Sequence, residues 1–205
     1  VSYDPAFGYE LAVIIHQGMK RMYEQQENVF YYITVMNENY AHTAMPAGVE
    51  EDIVKGMYLF KETDGAQVQL LGSGTILREV RAAAELLEQD FGIKSNIWSV
   101  TSFNELRRDG LECSRWNMLH PTAEPRECYL SQRLGEHEGP CIAATDYVRA
   151  YAGQIREYVP NNYKVLGTDG FGRSDSRQKL REYFEVNRHY VTVAALNELA
   201  KTGVV

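Results

Sequence analysis

Val165-Leu-Gly-Thr-Asp-Gly-Phe-Gly-Arg-Ser-Asp-Ser176 runs an apolar pair into a loop with three glycines, then into a charged helical pattern carried by Arg177, Lys179, Leu180, Arg181 and Tyr183. The order is strand, tight loop, helix start. Glycine tolerates positive φ and lets other groups approach the backbone closely. A helix start leaves N–H groups unpaired and favours carboxylates or phosphates, and Arg173 adds a formal positive charge to the same turn. The stretch predicts either a binding loop at the carboxyl edge of a sheet or a tight structural corner. Its candidate anion-binding or subunit-contact residues are Thr168, Asp169, Gly170, Gly172, Arg173 and Ser174.

Working outward, the same alternation recurs upstream. Tyr163–Leu166, Cys141–Thr145, Ile97–Val100, Val68–Leu71 and Met57–Glu62 read as short apolar strands. Between them, Ile76, Val80, Ala83, Leu87 and Phe91 share one helical face, with Gly92 as its C-terminal cap. Ser102 and Glu105 form a capping-box pattern for the next helix, which Asp109-Gly110 is expected to bend or break. Arg107, Arg108, Arg115 and Trp116 form a basic-aromatic patch on it, expected to be a packing or subunit face. His120-Pro121 and Glu124-Pro125 mark an extended loop. Asp146 is placed to cap a helix carrying Val148, Tyr151, Ala152, Ile155 and Val159, and Val193, Leu196 and Leu199 line another from about Tyr190. Strands alternating with helices from residue 57 onward predict an α/β fold, a mostly parallel twisted sheet with helices on both faces.

The first 45 residues read differently. Asp4-Pro5 looks like a helix start, and Leu11, Ile14, Ile15, Met19 and Met22 give residues 6–25 an amphipathic stripe, with His16 beside it as a packed histidine. Val29–Met36 is rich in β-branched and aromatic residues and predicts a buried strand. Asn37, Glu38, Asn39 and Tyr40 mass polar groups directly after it, followed by His42. Such an exit is where sites sit in open α/β sheets, although an ordinary loop weighs equally. Pro46–Gly56 reads as a linker. A domain boundary is therefore expected around there, separating the helix and strand of residues 1–45 from the main domain of 46–205.

Composition bounds the function classes. The 205 residues are 44% hydrophobic and 24% charged, ordinary for a globular chain, with a formal net charge of −7 that predicts no nucleic-acid partner. No apolar run reaches the roughly 20 residues of a membrane span, so no membrane partner is expected. Val1 stands where a start methionine would, which predicts an excerpt of a longer chain, and no leader pattern follows it. Cys113, Cys128 and Cys141 form no close pair, which predicts reduced thiols in a cytoplasmic protein and no structural zinc. Gly72-Ser-Gly74 lacks the third glycine of a dinucleotide fingerprint, Leu77 standing there, and the spacing of a nucleophile elbow. A strand-to-helix corner needs the same glycines with no ligand.

Taken together, Tyr31–Thr34 with Asn37–Tyr40, Ala44-Met-Pro46, Leu70–Gly74, Ser99–Phe103, Arg115–Pro121, Ala144–Tyr147 and Leu166–Arg177 resemble one family across nearly the whole chain. It is the homodimeric bacterial pyruvate dehydrogenase component, the decarboxylating subunit that uses thiamine diphosphate and Mg2+. The resemblance implies a transketolase-like C-terminal domain over 46–205, preceded by the end of the pyrimidine-binding middle domain over 1–45. It implies that a parent oxidoreductase decarboxylates pyruvate after glycolysis and passes the two-carbon unit to a lipoyl-bearing transacetylase in a multienzyme complex, the cofactor supplying the carbanion chemistry. Thr168-Asp169-Gly170 is similar to the start of the family's metal-diphosphate motif, but lacks its first glycine and the paired asparagines downstream. No catalytic or metal residue is therefore carried over, and the segment is expected to bind neither cofactor nor metal and to be inactive alone. Its implied roles are dimer contacts and one wall of the active-site approach, with Asn37–Tyr40 and His42 as the approach residues. A stand-alone anion-binding or assembly module is the competing expectation.

Overall fold

In the computed structural model, which describes residues 1–204, the chain opens with β1 (Ser2–Tyr3), α1 (Gly8–Met19, prolonged by a wider turn over Lys20–Glu24) and β2 (Tyr32–Ile33), which pairs parallel with β1. α2 (Glu50–Lys55) ends at Gly56 in the left-handed region and leads into β3 (Met57–Lys61). β4 (Val68–Ser73) turns through a short 3-10 segment into α3 (Leu77–Phe91), which Gly92 caps at φ 68°. β5 (Ser95–Val100), α4 (Phe103–Leu119), α5 (Tyr129–Gly135), β6 (Cys141–Ala144), α6 (Arg149–Gly153), β7 (Tyr163–Leu166), α7 (Arg177–Tyr183) and α8 (Arg188–Lys201) complete the order. The main sheet runs β3-β5-β4-β6-β7, with β4 to β7 parallel and β3 antiparallel on the edge. The expected α/β class and mostly parallel sheet are what the chain forms.

The two-residue period of the strands sorts the core into two layers. Val68 and Leu70 of β4, with Ile142 and Ala144 of β6, pack under α3 and α8. Leu71, Cys141 and Ala143 point to the opposite face, with Trp98, Phe103, Leu106 and Leu130 beneath α4 and α5. The polar Gln69 is buried inside β4, accepting from Trp98 Nε1 at 2.9 Å and donating to Glu138 O at 2.8 Å, which satisfies it. The β4–α3 corner depends on Gly72, where a Cβ would lie 2.7 Å from Leu77 Cα. All three cysteines are free thiols, with Cys128 and Cys141 buried.

Several local expectations are corrected. α1 begins at Gly8 rather than at Asp4-Pro5, because Glu10 folds back onto the Ala6 and Phe7 amides while Asp4 is used elsewhere. Ile15 and Met19 of its stripe are exposed, while Ile14 is buried. Val29–Met36 is not a buried strand: only Tyr32 and Ile33 pair, and Phe30, Tyr32 and Val35 are 76%, 63% and 67% exposed. α4 is not interrupted at Asp109-Gly110, since Gly110 is the gap into which the Tyr158 ring packs. Asp146 does not cap a long helix; α6 has five residues and starts after Val148. The extended loop after His120 ends in α5, an element the prolines obscured.

Candidate functional site

The carboxyl ends of β4, β6 and β7 surround a cavity of about 270 Å³. β5 and β6 flank β4 on opposite sides, so the cavity lies where the strand order reverses, the place at which open α/β sheets offer a crevice. Thr75 follows β4, Asp146 follows β6 and Thr168 follows β7. Ile76, Leu180, Phe184 and Val186 give it an apolar wall, Met36 reaches it from the N-terminal segment, and Arg173, Arg177 and Arg181 give it a cationic one.

Glu38 is the hinge of this region. Its carboxylate accepts from Thr75 Oγ1 at 2.9 Å, Arg78 at 2.6 Å and Arg181 at 2.5 Å, and Arg177 Nε stands 3.8 Å away. Its side chain is 15% exposed and that of Arg181 13%. Burial works against its ionisation, but the hydrogen bonds from Arg181 and Thr75 and the charges of Arg181 and Arg78 prevail and hold the carboxyl at about 2. The pairing continues inward: Glu79 lies 3.6 Å from Arg181 and accepts from the Arg188 backbone and guanidinium. Burial opposes the charge on Glu79 too, yet the Arg188 bonds leave its carboxyl below the ordinary value.

The neighbouring expected residues divide. Asn37 accepts from Arg177, so it joins the cluster. Tyr40 donates to the Ala6 carbonyl and lies under the Arg78 guanidinium, 4.7 Å from the ring centroid. His42 Nδ1 accepts from the Gly8 amide at 2.9 Å and closes on the Tyr40 ring, away from the cavity lining. Asn39 is exposed and enters no side-chain hydrogen bond. Asn37 to Tyr40 thus clamp the N-terminal segment to the main domain.

In the glycine loop, the Asp169 carboxylate accepts from the Arg149 backbone at 2.8 Å and its Nε at 2.6 Å, which brings its carboxyl below the ordinary aspartate value. Gly167 is pressed against Tyr147 and Arg149 backbone, and Gly170 takes φ 84°. Arg173 stacks on the Tyr183 ring at 4.2 Å and, with Gly172 and Thr168, faces the cavity. Phe171 at the tip is 97% exposed, and Ser174 is also at the surface. The loop is both a tied corner and one rim of a crevice.

Glu10, which sequence reading passed over, and Asp4, which it took for a helix cap, anchor the N-terminal segment further. Fully buried Glu10 accepts from the Ala6 and Phe7 amides, from Tyr58 Oη at 2.7 Å and from Ser99 Oγ at 2.6 Å. Burial pushes its carboxyl up, against the pull of those four donors. Asp4 accepts from Thr34, Tyr147 and Tyr151 hydroxyls. Their partners lie up to 147 positions away, so no spacing signalled them. Arg177 and Arg181 were the legible part, four apart on one helix face beside the glycine loop. Among the described residues no group of three His, Cys, Asp or Glu side chains is placed to hold a metal ion.

Comparison with known proteins places this geometry. Residues 56–187 match the family described as transketolase-like TK C-terminal domain, and residues 1–43 match the pyruvate dehydrogenase E1 component middle domain. The pyruvate dehydrogenase E1 component of Pseudomonas aeruginosa is 61% identical over 98% of this chain, and those of Cupriavidus necator and Escherichia coli are each 58% identical over 100% and 99% of it. The chain spans about 23% of the length of each of these relatives. Among solved structures, transketolases from Pichia stipitis and Campylobacter jejuni superpose with TM-scores of 0.67 and 0.66, at 17% and 19% identity. The first covers 98% of this chain and 25% of its own; the second covers 96% and 26%. They share its fold. The chain belongs to the pyruvate dehydrogenase E1 component family of transketolase-like proteins.

Proposed function

We propose that the chain serves as the C-terminal part of a pyruvate dehydrogenase E1 subunit that decarboxylates pyruvate on thiamine diphosphate with Mg2+ and acetylates a lipoyl group of a transacetylase partner. In this reading residues 1–45 end the middle domain and 46–205 form the C-terminal domain. The subunit is a homodimer in the cytoplasm, fed by glycolysis. No helix among the described residues is long and apolar enough to cross a membrane, which accords with that setting. The cofactor and metal are held by residues of the subunit outside this chain, so no chemical step is assigned to residues here.

The role of this segment is architectural. The observation that carries it is the Glu38 cluster, in which the exit loop of the N-terminal segment is fixed to the main domain by Thr75, Arg78 and Arg181. Asn37–Tyr40 supply one wall of the active-site approach, held in place by this clamp. The test is pyruvate decarboxylation by the full-length subunit with thiamine diphosphate and Mg2+, comparing wild type with Glu38→Ala. The reading expects activity in the wild type and a fall in kcat/KM in the variant with cofactor affinity retained. A full-length wild type inert toward pyruvate sinks the activity, and an unchanged kcat/KM in the variant sinks the positioning role.

A further inference from the structure

We infer that the cavity at the carboxyl ends of β4, β6 and β7 binds a small organic anion, one carboxylate or phosphate group carried on an apolar body. This goes beyond the proposed activity and rests on the cavity itself.

The chain carries a net −7, yet Arg173, Arg177 and Arg181 line this cavity against one carboxyl, Asp146, while Glu38 beside the cavity is paired with Arg78 and Arg181. Glu38 is saturated by three donors, so it has little left to offer a cation. The excess of guanidinium focuses a positive potential in a crevice with low-dielectric walls.

Donors remain free to use it. Among the described residues, the Arg173 guanidinium enters no hydrogen bond or ion pair, and its face is occupied by Tyr183. A stacked guanidinium keeps its in-plane N–H edge available for a bidentate anion. Arg177 spends one nitrogen on Asn37 and holds Nε 3.8 Å from Glu38, and its side chain is 48% exposed. Arg173 and Arg177 both line the cavity, together with Ile76, Leu180, Phe184 and Val186, and Arg177 shares a face of α7 with Leu180 and with Phe184 just past its end.

Size and polarity set the ligand class. At water's share of volume, about 30 Å³ each, the cavity holds roughly nine non-hydrogen atoms. Apolar side chains beside the unpaired Arg173 guanidinium suit a ring or short chain ending in an anion better than inorganic phosphate alone.

The test uses the full-length subunit and fluorine NMR of 4-fluorobenzoate, 4-fluorophenyl phosphate and 4-fluorobenzyl alcohol, with inorganic phosphate as competitor. The two organic anions are expected to bind at least tenfold more tightly than the alcohol. Arg173→Ala combined with Arg177→Ala is expected to weaken them at least tenfold while leaving the alcohol unchanged. Phe184→Ala is expected to weaken all three aromatic probes alike. Which organic anion binds more tightly identifies the natural headgroup, and displacement by inorganic phosphate alone at equal concentration would show that the apolar wall contributes nothing. Equal binding of anions and alcohol, or undiminished binding by the double variant with an unshifted thermal midpoint, overturns the inference. Pyruvate decarboxylation measured on the same preparations separates this outcome from failure of the proposed activity.

Discussion

Replacing Glu38 by Ala removes the carboxylate that Thr75, Arg78 and Arg181 share, and the cost can be bounded from its surroundings. Breaking a fully buried ion pair costs about 3–5 kcal/mol, because the remaining charge stays buried. An exposed pair is worth about 0–1 kcal/mol. Glu38 and Arg181 are 15% and 13% exposed, near the buried limit, but Arg181 retains Glu79 at 3.6 Å as a second anion. The expected cost of Glu38→Ala is therefore about 2–3 kcal/mol. Glu38→Gln keeps one acceptor and costs about half as much. Because Glu38 joins the 37–40 segment to α3 and α7, the loss falls on local opening, which amide hydrogen exchange reads directly. At pH 7, peptides covering residues 37–42 and 176–184 should exchange about 30- to 140-fold faster in the alanine variant, at 1.4 kcal/mol per decade. The carboxyl sits at about 2 in the folded chain against an ordinary value of 4.5. A lowered acid contributes its stability in full above the ordinary value and loses it as pH falls toward the folded one. The difference in stability between wild type and Glu38→Ala should thus hold above pH 4.5 and shrink toward nothing near pH 2. Equal exchange in the two proteins at pH 7, or a difference that grows on acidification, would refute the clamp.

Gly110→Ala should destabilise the chain by about 1–3 kcal/mol in urea titrations followed by Trp98 fluorescence, although alanine is the better helix former by about 1 kcal/mol. Its Cβ would sit 2.4 Å from the Tyr158 ring, and in a Tyr158→Ala background the same change should turn stabilising; a stabilised single variant would show the packing argument wrong. Glu10→Gln should cost no more than about 1 kcal/mol, since its amide can donate to the Tyr58 and Ser99 hydroxyls while its oxygen serves the Ala6 and Phe7 amides, whereas Glu10→Ala orphans four donors and should cost at least about 3 kcal/mol. Since burial raises the Glu10 carboxyl, its share of stability is full below pH 4.5 and declines as pH rises through the raised value, so the Gln variant should lose that decline. Hydroxyl-radical footprinting should label Phe30 and Tyr32 strongly in the 205-residue chain and at least several-fold less in the full-length subunit, where a larger middle domain covers them; equal labelling would count against the proposed domain division.

What could be read from the sequence was local. The strands β4 to β7 are short apolar runs bounded by glycine, proline and asparagine, and α3 advertises its period through Val80, Ala83 and Leu87, although α5 does not. Their alternation is enough for a parallel sheet. The Gly110 error came from treating glycine as a breaker when its missing Cβ was serving a contact with Tyr158, 48 positions further on. The Asp4-Pro5 error has the same origin: a capping residue in sequence was claimed by Tyr147 and Tyr151. Polar residues whose partners lie more than a hundred positions away carry no period, and those residues built the site.

The Val29–Met36 stretch makes a different point. Its composition suits burial, and Phe30, Tyr32 and Val35 are among the most exposed apolar side chains of the described chain. Three acids of the N-terminal segment, Asp4, Glu10 and Glu38, each accept from residues beyond it, Tyr147 and Tyr151, Tyr58 and Ser99, and Thr75, Arg78 and Arg181 respectively. These bonds fix the segment's orientation directionally, beside the apolar contacts of Tyr3, Phe7 and Ile14. The segment is thus held both by these bonds and by those buried side chains, while part of its 30–35 stretch stays bare. That arrangement explains why composition alone misplaced the strand: Phe30, Tyr32 and Val35 lie on the bare part, and Asn37, Glu38 and Tyr40 after it are held by bonds to distant residues that composition does not show.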